Sequence, residues 1–203
     1  MTSVSIAALP KPLSSRSKNH ADVHEVEPGT ITLTAHTSDD LFADPSTDGL
    51  VMSASVFAFE ATGDFQFRAK VKVDFQEKFD SGVLIGYFND QSWFKICAEV
   101  DPVGRTRIVT VVTRDRSDDA NSTYLVGDDI HLRISRMGRT FALHSSSDGS
   151  HWDLARYFTL GEISDTPLHV GIAAQSPAGN GTRAMFSEFG WEGVGLSDPR
   201  DGS

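Results

Sequence analysis

The chain has 203 residues, 39% hydrophobic and 23% charged, which suits one large all-β domain or two small ones with a real core. Its 28 acidic residues outweigh 18 basic ones, for a net charge of −10. Duplex nucleic acid and anionic membranes are repelled on average, while neutral ligands such as sugars stay open. A single cysteine, Cys97, allows no internal disulfide and points to a reducing compartment.

Residues 1–27 mix Ser, Lys, Pro, His and acids without periodicity, so a flexible N-terminal tail is expected there. The apolar patch from Val4 to Leu9 is broken by Pro10 and Pro12, has no basic residues before it and is too short for a signal-peptide core. No run approaches the roughly 20 apolar residues of a membrane span, and a cytoplasmic location is the expectation. Residues 28–192 then read as β throughout. "TITLTAH" alternates, and "FQFRAKVKVDF" puts Phe65, Phe67, Ala69, Val71, Val73 and Phe75 on one face. "VLIGYF", "SWFKICAEV", "RIVTVVTR", "IHLRISR", "TFALHSS", "HWDLARYF", "PLHVGIAAQS" and "TRAMFSEFGW" follow, separated by turn signals such as "DPVG", "RMGR" and "SPAGNG". No window carries a capped helical stripe. About ten strands at spacings of roughly 10–12 residues predict a sandwich or barrel. Residues 193–203, containing "GLSDPRDGS", are expected to form a second flexible tail.

The order and spacing of several short segments resemble the DUF1349 family. They are "DDLFADP" (39–45), "GDFQFRAKVKVDF" (63–75), "FDSGVLI" (79–85), "SWFK" (92–95), "VVTRDRSD" (111–118), "LHSSSDGSHWDLARYF" (143–158), "VGIAAQSP" (170–177) and "FSEF" (186–189). The resemblance implies a concanavalin A-like jelly-roll sandwich of two antiparallel sheets. The yeast regulator of enolase 1 is grouped with the family, so the resemblance also implies a regulatory protein–protein interaction domain acting on a metabolic enzyme.

In "SWFKICAEV", Phe94, Ile96, Ala98 and Val100 form the core face, and Trp93, Lys95, Cys97 and Glu99 form the other, wetter one. Lys95 and Glu99 lie about 13 Å apart along the strand, too far to pair directly. A regular hairpin through "DPVG" brings Thr113 or Arg114 beside the start of this strand, and Tyr87 ends the preceding one. Tyr87, Trp93, Lys95, Glu99, Thr113 and Arg114 on one concave sheet face would suit a sugar, with rings stacking on C–H surfaces and polar groups reading hydroxyls. A solvated face with cross-strand charge pairs is the plainer alternative.

Other motifs carry less chemistry. "SSSDGSHW" (145–152) is explained by Asp-Gly turn chemistry, with Trp152 expected to pack back over the partner strand as a core anchor. Glu99–Asp101 and Glu188–Glu192 are incomplete versions of the carboxylate sets of glycan-cleaving enzymes. Cys97 has no histidine nearby in sequence, and the scattered histidines show no metal-ligand spacing. The expectation is therefore a non-catalytic module binding a carbohydrate or sugar-like metabolite, without cofactor or metal. A regulatory partner domain and a glycan-active hydrolase or lyase are the alternatives.

Overall fold

A computed structural model describes residues 2–16, 22–161 and 167–203. In chain order the strands are β1 (Ser3–Val4), β2 (Leu13–Ser15), β3 (Asp22–Glu27), β4 (Thr30–Ala35), β5 (Leu41–Ala43), β6 (Leu50–Met52), β7 (Val56–Ala61), β8 (Phe65–Val73), β9 (Ser81–Asn89), β10 (Ser92–Val100), β11 (Thr106–Arg114), β12 (Arg116–Tyr124), β13 (Asp129–Met137), β14 (Thr140–Ser146), β15 (Asp153–Thr159), β16 (Leu168–Gln175) and β17 (Thr182–Glu192). They form two large antiparallel sheets, ordered β1-β2-β7-β16-β9-β10-β11-β12 and β15-β14-β13-β8-β17-β4-β3, with β5 and β6 as a separate two-stranded arm. This is an all-β sandwich of two antiparallel sheets: the alternation predicted a sandwich or barrel, and the family resemblance implied the two-sheet, concanavalin A-like form. The described residues contain no helix long and apolar enough to cross a membrane.

Period-two alternation builds the main core. Phe65, Phe67, Ala69 and Val71 of β8 are fully buried against Leu84, Phe94, Ile96 and Ile172 of the facing sheet. Phe94, Phe141 and Phe158 cluster with ring centroids 4.7–5.7 Å apart, at separations that favour edge and offset contacts. Gly86 opposes Phe94 on β9, and a Cβ there would sit 2.2 Å from the Phe94 ring, so only glycine lets the ring lie flat on its neighbour strand.

The flexible ends expected at 1–27 and 193–203 are a correction. Over their described residues both segments are tied to the sandwich. β1 and β2 extend the eight-stranded sheet, β3 extends the other, and Ile6, Leu9 and Leu13 enter the core. Residues 17–21 lie outside the described residues. At the other end Leu196 is buried, the Pro199 carbonyl lies 2.8 Å from His144 Nε2, and the Gly202 carbonyl accepts from Arg133 Nη2 at 2.8 Å. Polar segments without periodicity can still be ordered when their few apolar residues and backbone groups find partners, which composition alone does not show.

The Asp-Gly hairpin turns the chain as expected, by local hydrogen bonds. Asp148 Oδ1 accepts from the Ser150 and His151 amides at 2.7 and 2.8 Å, Ser146 Oγ accepts from the Gly149 amide at 2.9 Å, and Gly149 takes φ +74°. Trp152 differs from expectation. It is half-buried outside the core, with the Arg133 guanidinium 4.3 Å from its ring centroid.

Candidate functional site

The outer face of the eight-stranded sheet is crossed by an arm, residues 36–54, that contains β5 and β6. The arm is pinned at both sides of the sheet. At β16 the Ser38 amide donates to the Ser176 carbonyl at 3.0 Å, and the Ser176 amide returns a bond to Asp39 at 2.9 Å. At β12 the Ala43 amide donates to Ser117 Oγ at 3.0 Å, and Ser117 in turn bonds Thr113 at 3.0 Å. Beneath the arm lies a second apolar core of Leu41, Ala54, Val56, Val83, Ile85, Trp93, Cys97, Val109 and Val111.

At one end of this covered face the sheet holds a cavity of about 220 Å³. Lys95, Glu99, Asp119, Asp40 and Gln175 supply its polar lining, and Phe42, Phe79, Pro177, Val109 and Val111 its apolar lining. The strands place these groups by register: Lys95 pairs with Val111, and Val111 with Asp119 on the edge strand β12. Lys95 is 3% exposed. Its Nζ donates to the Leu41 carbonyl and to Gln175 Oε1, both at 2.9 Å. Gln175 Nε2 then donates to Asp40 Oδ1 at 2.6 Å, and Asp40 Oδ1 also accepts from the Leu41 amide at 2.8 Å. The lysine thus ties the arm to the sheet, through one backbone carbonyl and one amide side chain.

Glu99 is half-buried on the same strand face. Burial pushes its carboxyl up to about 7, against the pull of Lys95, and Asp119 and Asp40 add to the rise. Burial also raises Asp119, with Lys95 and Arg156 opposing. Among the described residues no cation lies within salt-bridge distance of either carboxylate.

Phe79 reaches the cavity from the β8–β9 loop with φ +69°, a left-handed conformation uncommon for an aromatic residue. Its neighbour Asp80 is fully buried and organises the loop. Asp80 Oδ2 accepts from the Gln76 and Glu77 amides at 3.0 Å each, and Oδ1 accepts from Ser176 Oγ at 2.7 Å. One carboxylate therefore fixes both the loop that carries Phe79 and the segment that carries Pro177.

The structure brings Lys95 and Glu99 into one cavity and disperses the other residues expected there. Trp93 pairs with Tyr87 and Thr113 across three adjacent strands, as the hairpin spacing predicts. Yet Trp93 and Thr113 are fully buried under the arm, and the Trp93 indole N–H has no hydrogen-bond partner among the described residues. The expected wetter face is apolar there because the arm covers it. Tyr87 lines a different cavity, with Arg16, Leu50, Val51 and Met52, and donates to Asp90 at 2.6 Å. Arg114 points to the other sheet and donates to the Thr159 carbonyl at 2.9 Å.

The remaining chemical candidates have structural partners. Asp101 caps its own turn by accepting from the Val103 and Arg105 amides at 3.0 and 2.9 Å. Glu192 pairs with Arg68 at 2.9 Å and Glu188 with Lys70 at 3.5 Å. Burial raises the Cys97 thiol far above its ordinary value. Among the described residues no group of three or more His, Cys, Asp and Glu is placed to hold a metal. Sequence reading missed Asp40, Phe42, Phe79, Asp119 and Gln175. A signal existed: all but Asp119 lie inside the short segments quoted for the resemblance, and those segments converge on this cavity from distant parts of the chain.

Comparison with known proteins follows the fold. No curated protein matches the chain significantly. A solved structure described as a functionally unknown protein from Saccharomyces cerevisiae is 22% identical, with a TM-score of 0.82, over 91% of this chain and 97% of that one. The GH43 protein BlXynB from Bacillus licheniformis is 17% identical, with a TM-score of 0.67, over 83% of this chain. A xylan beta-1,4-xylosidase from Bacillus halodurans C-125 is 15% identical, with a TM-score of 0.66, over 83% of this chain. This chain spans about a third of the length of those two proteins, 34% and 33%. At these identities the likeness is one of fold. The family model described as "Protein of unknown function (DUF1349)" matches residues 18–193, and the chain belongs to that family.

Proposed function

We propose that this chain is a non-catalytic binding module whose cavity beneath the arm takes one ring of a small hydroxylated ligand of the carbohydrate class. The observation that carries the reading is the lining itself: Phe42, Phe79 and Pro177 beside Lys95, Glu99, Asp119 and Gln175 in one recess. Apolar ring faces suit sugar C–H surfaces, and carboxylates and amides suit hydroxyls. At about 220 Å³ the cavity falls below the roughly 300–1,000 Å³ typical of drug-sized sites, which favours a single ring over a longer chain. The activity of the xylosidase belongs to a protein three times as long and is not carried over.

The test is a thermal-shift screen of the intact protein against D-xylose, D-glucose, D-galactose and their amino derivatives, repeated on Asp119→Ala and Phe79→Ala. A ligand at 100-fold its Kd stabilises by about 2.7 kcal/mol, roughly 5 °C or more for a chain of this size. A shift that both substitutions abolish supports the reading, and no shift with any sugar opposes it.

One observation favours a second reading, a glycan-active enzyme. Glu99, raised to about 7, is about half protonated at neutral pH and shares its cavity with a second carboxylate, Asp119. Release of reducing ends from oligosaccharides, lost in Glu99→Gln, would select it.

A further inference from the structure

We infer that the ring held in this cavity carries a protonated amine, as an amino sugar does, because Glu99 and Asp119 face the recess with no cation in ion-pair contact. This inference rests on the carbohydrate reading above. The cavity has mixed lining, and its charges do not balance. Its one cation, Lys95, is committed to the Leu41 carbonyl and Gln175 Oε1. Asp40 is committed to Gln175 and the Leu41 amide. Glu99 and Asp119 have no ion-pair partner among the described residues; Glu99 is desolvated, while Asp119 stands exposed on the edge strand with Arg156 acting on it beyond ion-pair distance.

A neutral ring would leave that imbalance in place. An anionic ring, such as a uronate or a sugar phosphate, would add to it inside a chain of net charge −10. An ammonium beside Glu99 and Asp119 would favour the ionised form of each and form charge-assisted hydrogen bonds. Phe42 and Phe79 line the recess with aromatic rings, which attract cations as well as C–H groups; Lys78 Nζ already lies 5.9 Å from the Phe79 ring centroid. Hydrogen bonds to charged groups correspond to about tenfold to hundredfold in affinity.

The experiment is calorimetric titration of the intact protein at pH 7 with D-glucose, D-glucosamine and N-acetyl-D-glucosamine, and with the three galacto counterparts. It is repeated on Glu99→Gln and Asp119→Asn, each checked for a native thermal transition. The expected result is that, in at least one series, the amine binds about tenfold or more tightly than the parent sugar. The acetylated form, which keeps the nitrogen and loses the charge, binds no better than the parent. The ratio of amine to parent-sugar affinity falls in both variants, whatever affinity for the parent sugar remains. Equal affinity for amine and parent overturns the amine inference and leaves the carbohydrate reading standing. Binding of none of the six sugars overturns both.

Discussion

Lys95 Nζ and Gln175 Oε1 meet 2.9 Å apart beneath the arm, linking β10 to β16 across the strand that separates them. The same ammonium holds the Leu41 carbonyl, so the arm, the sheet and the cavity floor share one buried cation. Lys95→Met keeps the apolar stem and removes the donors, leaving two buried acceptors unpaired. The expected loss is about 2–4 kcal/mol in urea unfolding. A loss below about 1 kcal/mol would mean that water replaces the lysine and the arm is not held by it.

Glu99 gives a pH signature. Burial pushes its folded carboxyl up to about 7 from an ordinary value of 4.5, so the folded state binds the proton more tightly. Its favourable contribution is full below about pH 4.5 and is lost as pH rises through 7. The groups that set it are Lys95, Asp119 and Asp40. Glu99→Gln cannot ionise, so the variant should gain stability relative to wild type between pH 6 and 8. Melting curves of the two proteins across that range should diverge, and parallel curves would refute the assignment.

Phe79 separates fold from binding. With φ +69° it occupies a conformation that costs a non-glycine residue about 1 kcal/mol or more and costs glycine little. Phe79→Gly should therefore be about 1 kcal/mol more stable than Phe79→Ala, while both lose the sugar-dependent thermal shift. Equal stability of the two variants would show that the loop relaxes out of this conformation.

Trp93 and Trp152 should behave differently from each other. Trp93→Ala empties the second core and should cost about 3–5 kcal/mol. Trp93→Phe should cost less, because the buried indole N–H lacks a partner that its removal could orphan. Trp152→Ala removes a half-buried ring under Arg133 and should cost about 1–2 kcal/mol. Chemical denaturation of the three variants checks the order.

Much of the fold was legible because alternation states the two faces of each strand directly. The face of Phe94, Ile96 and Ala98 is core as read, and the Trp93–Tyr87–Thr113 alignment follows from hairpin spacing. Accessibility was not legible. Trp93 and Glu99 have the same parity on β10, and only the path of residues 36–54 decides that one is sealed and the other faces a cavity. That path depends on bonds between residues far apart in the chain, such as Ala43 to Ser117 and Ser38 to Ser176, which no local pattern encodes. The same holds for Phe79 and Asp119, which reach the cavity from a loop and an edge strand without any periodic signal of their own.

The most direct measurement is amide chemical-shift mapping by NMR with the sugar that gives the largest thermal shift, or with D-glucosamine if several are equal. Binding in this cavity predicts saturable perturbations grouped on residues 40–42, 79–80, 95–99, 109–111, 119 and 175–176. Perturbations centred instead on the outer face of the other sheet near Arg133 and Trp152, or none at any sugar concentration, would contradict it.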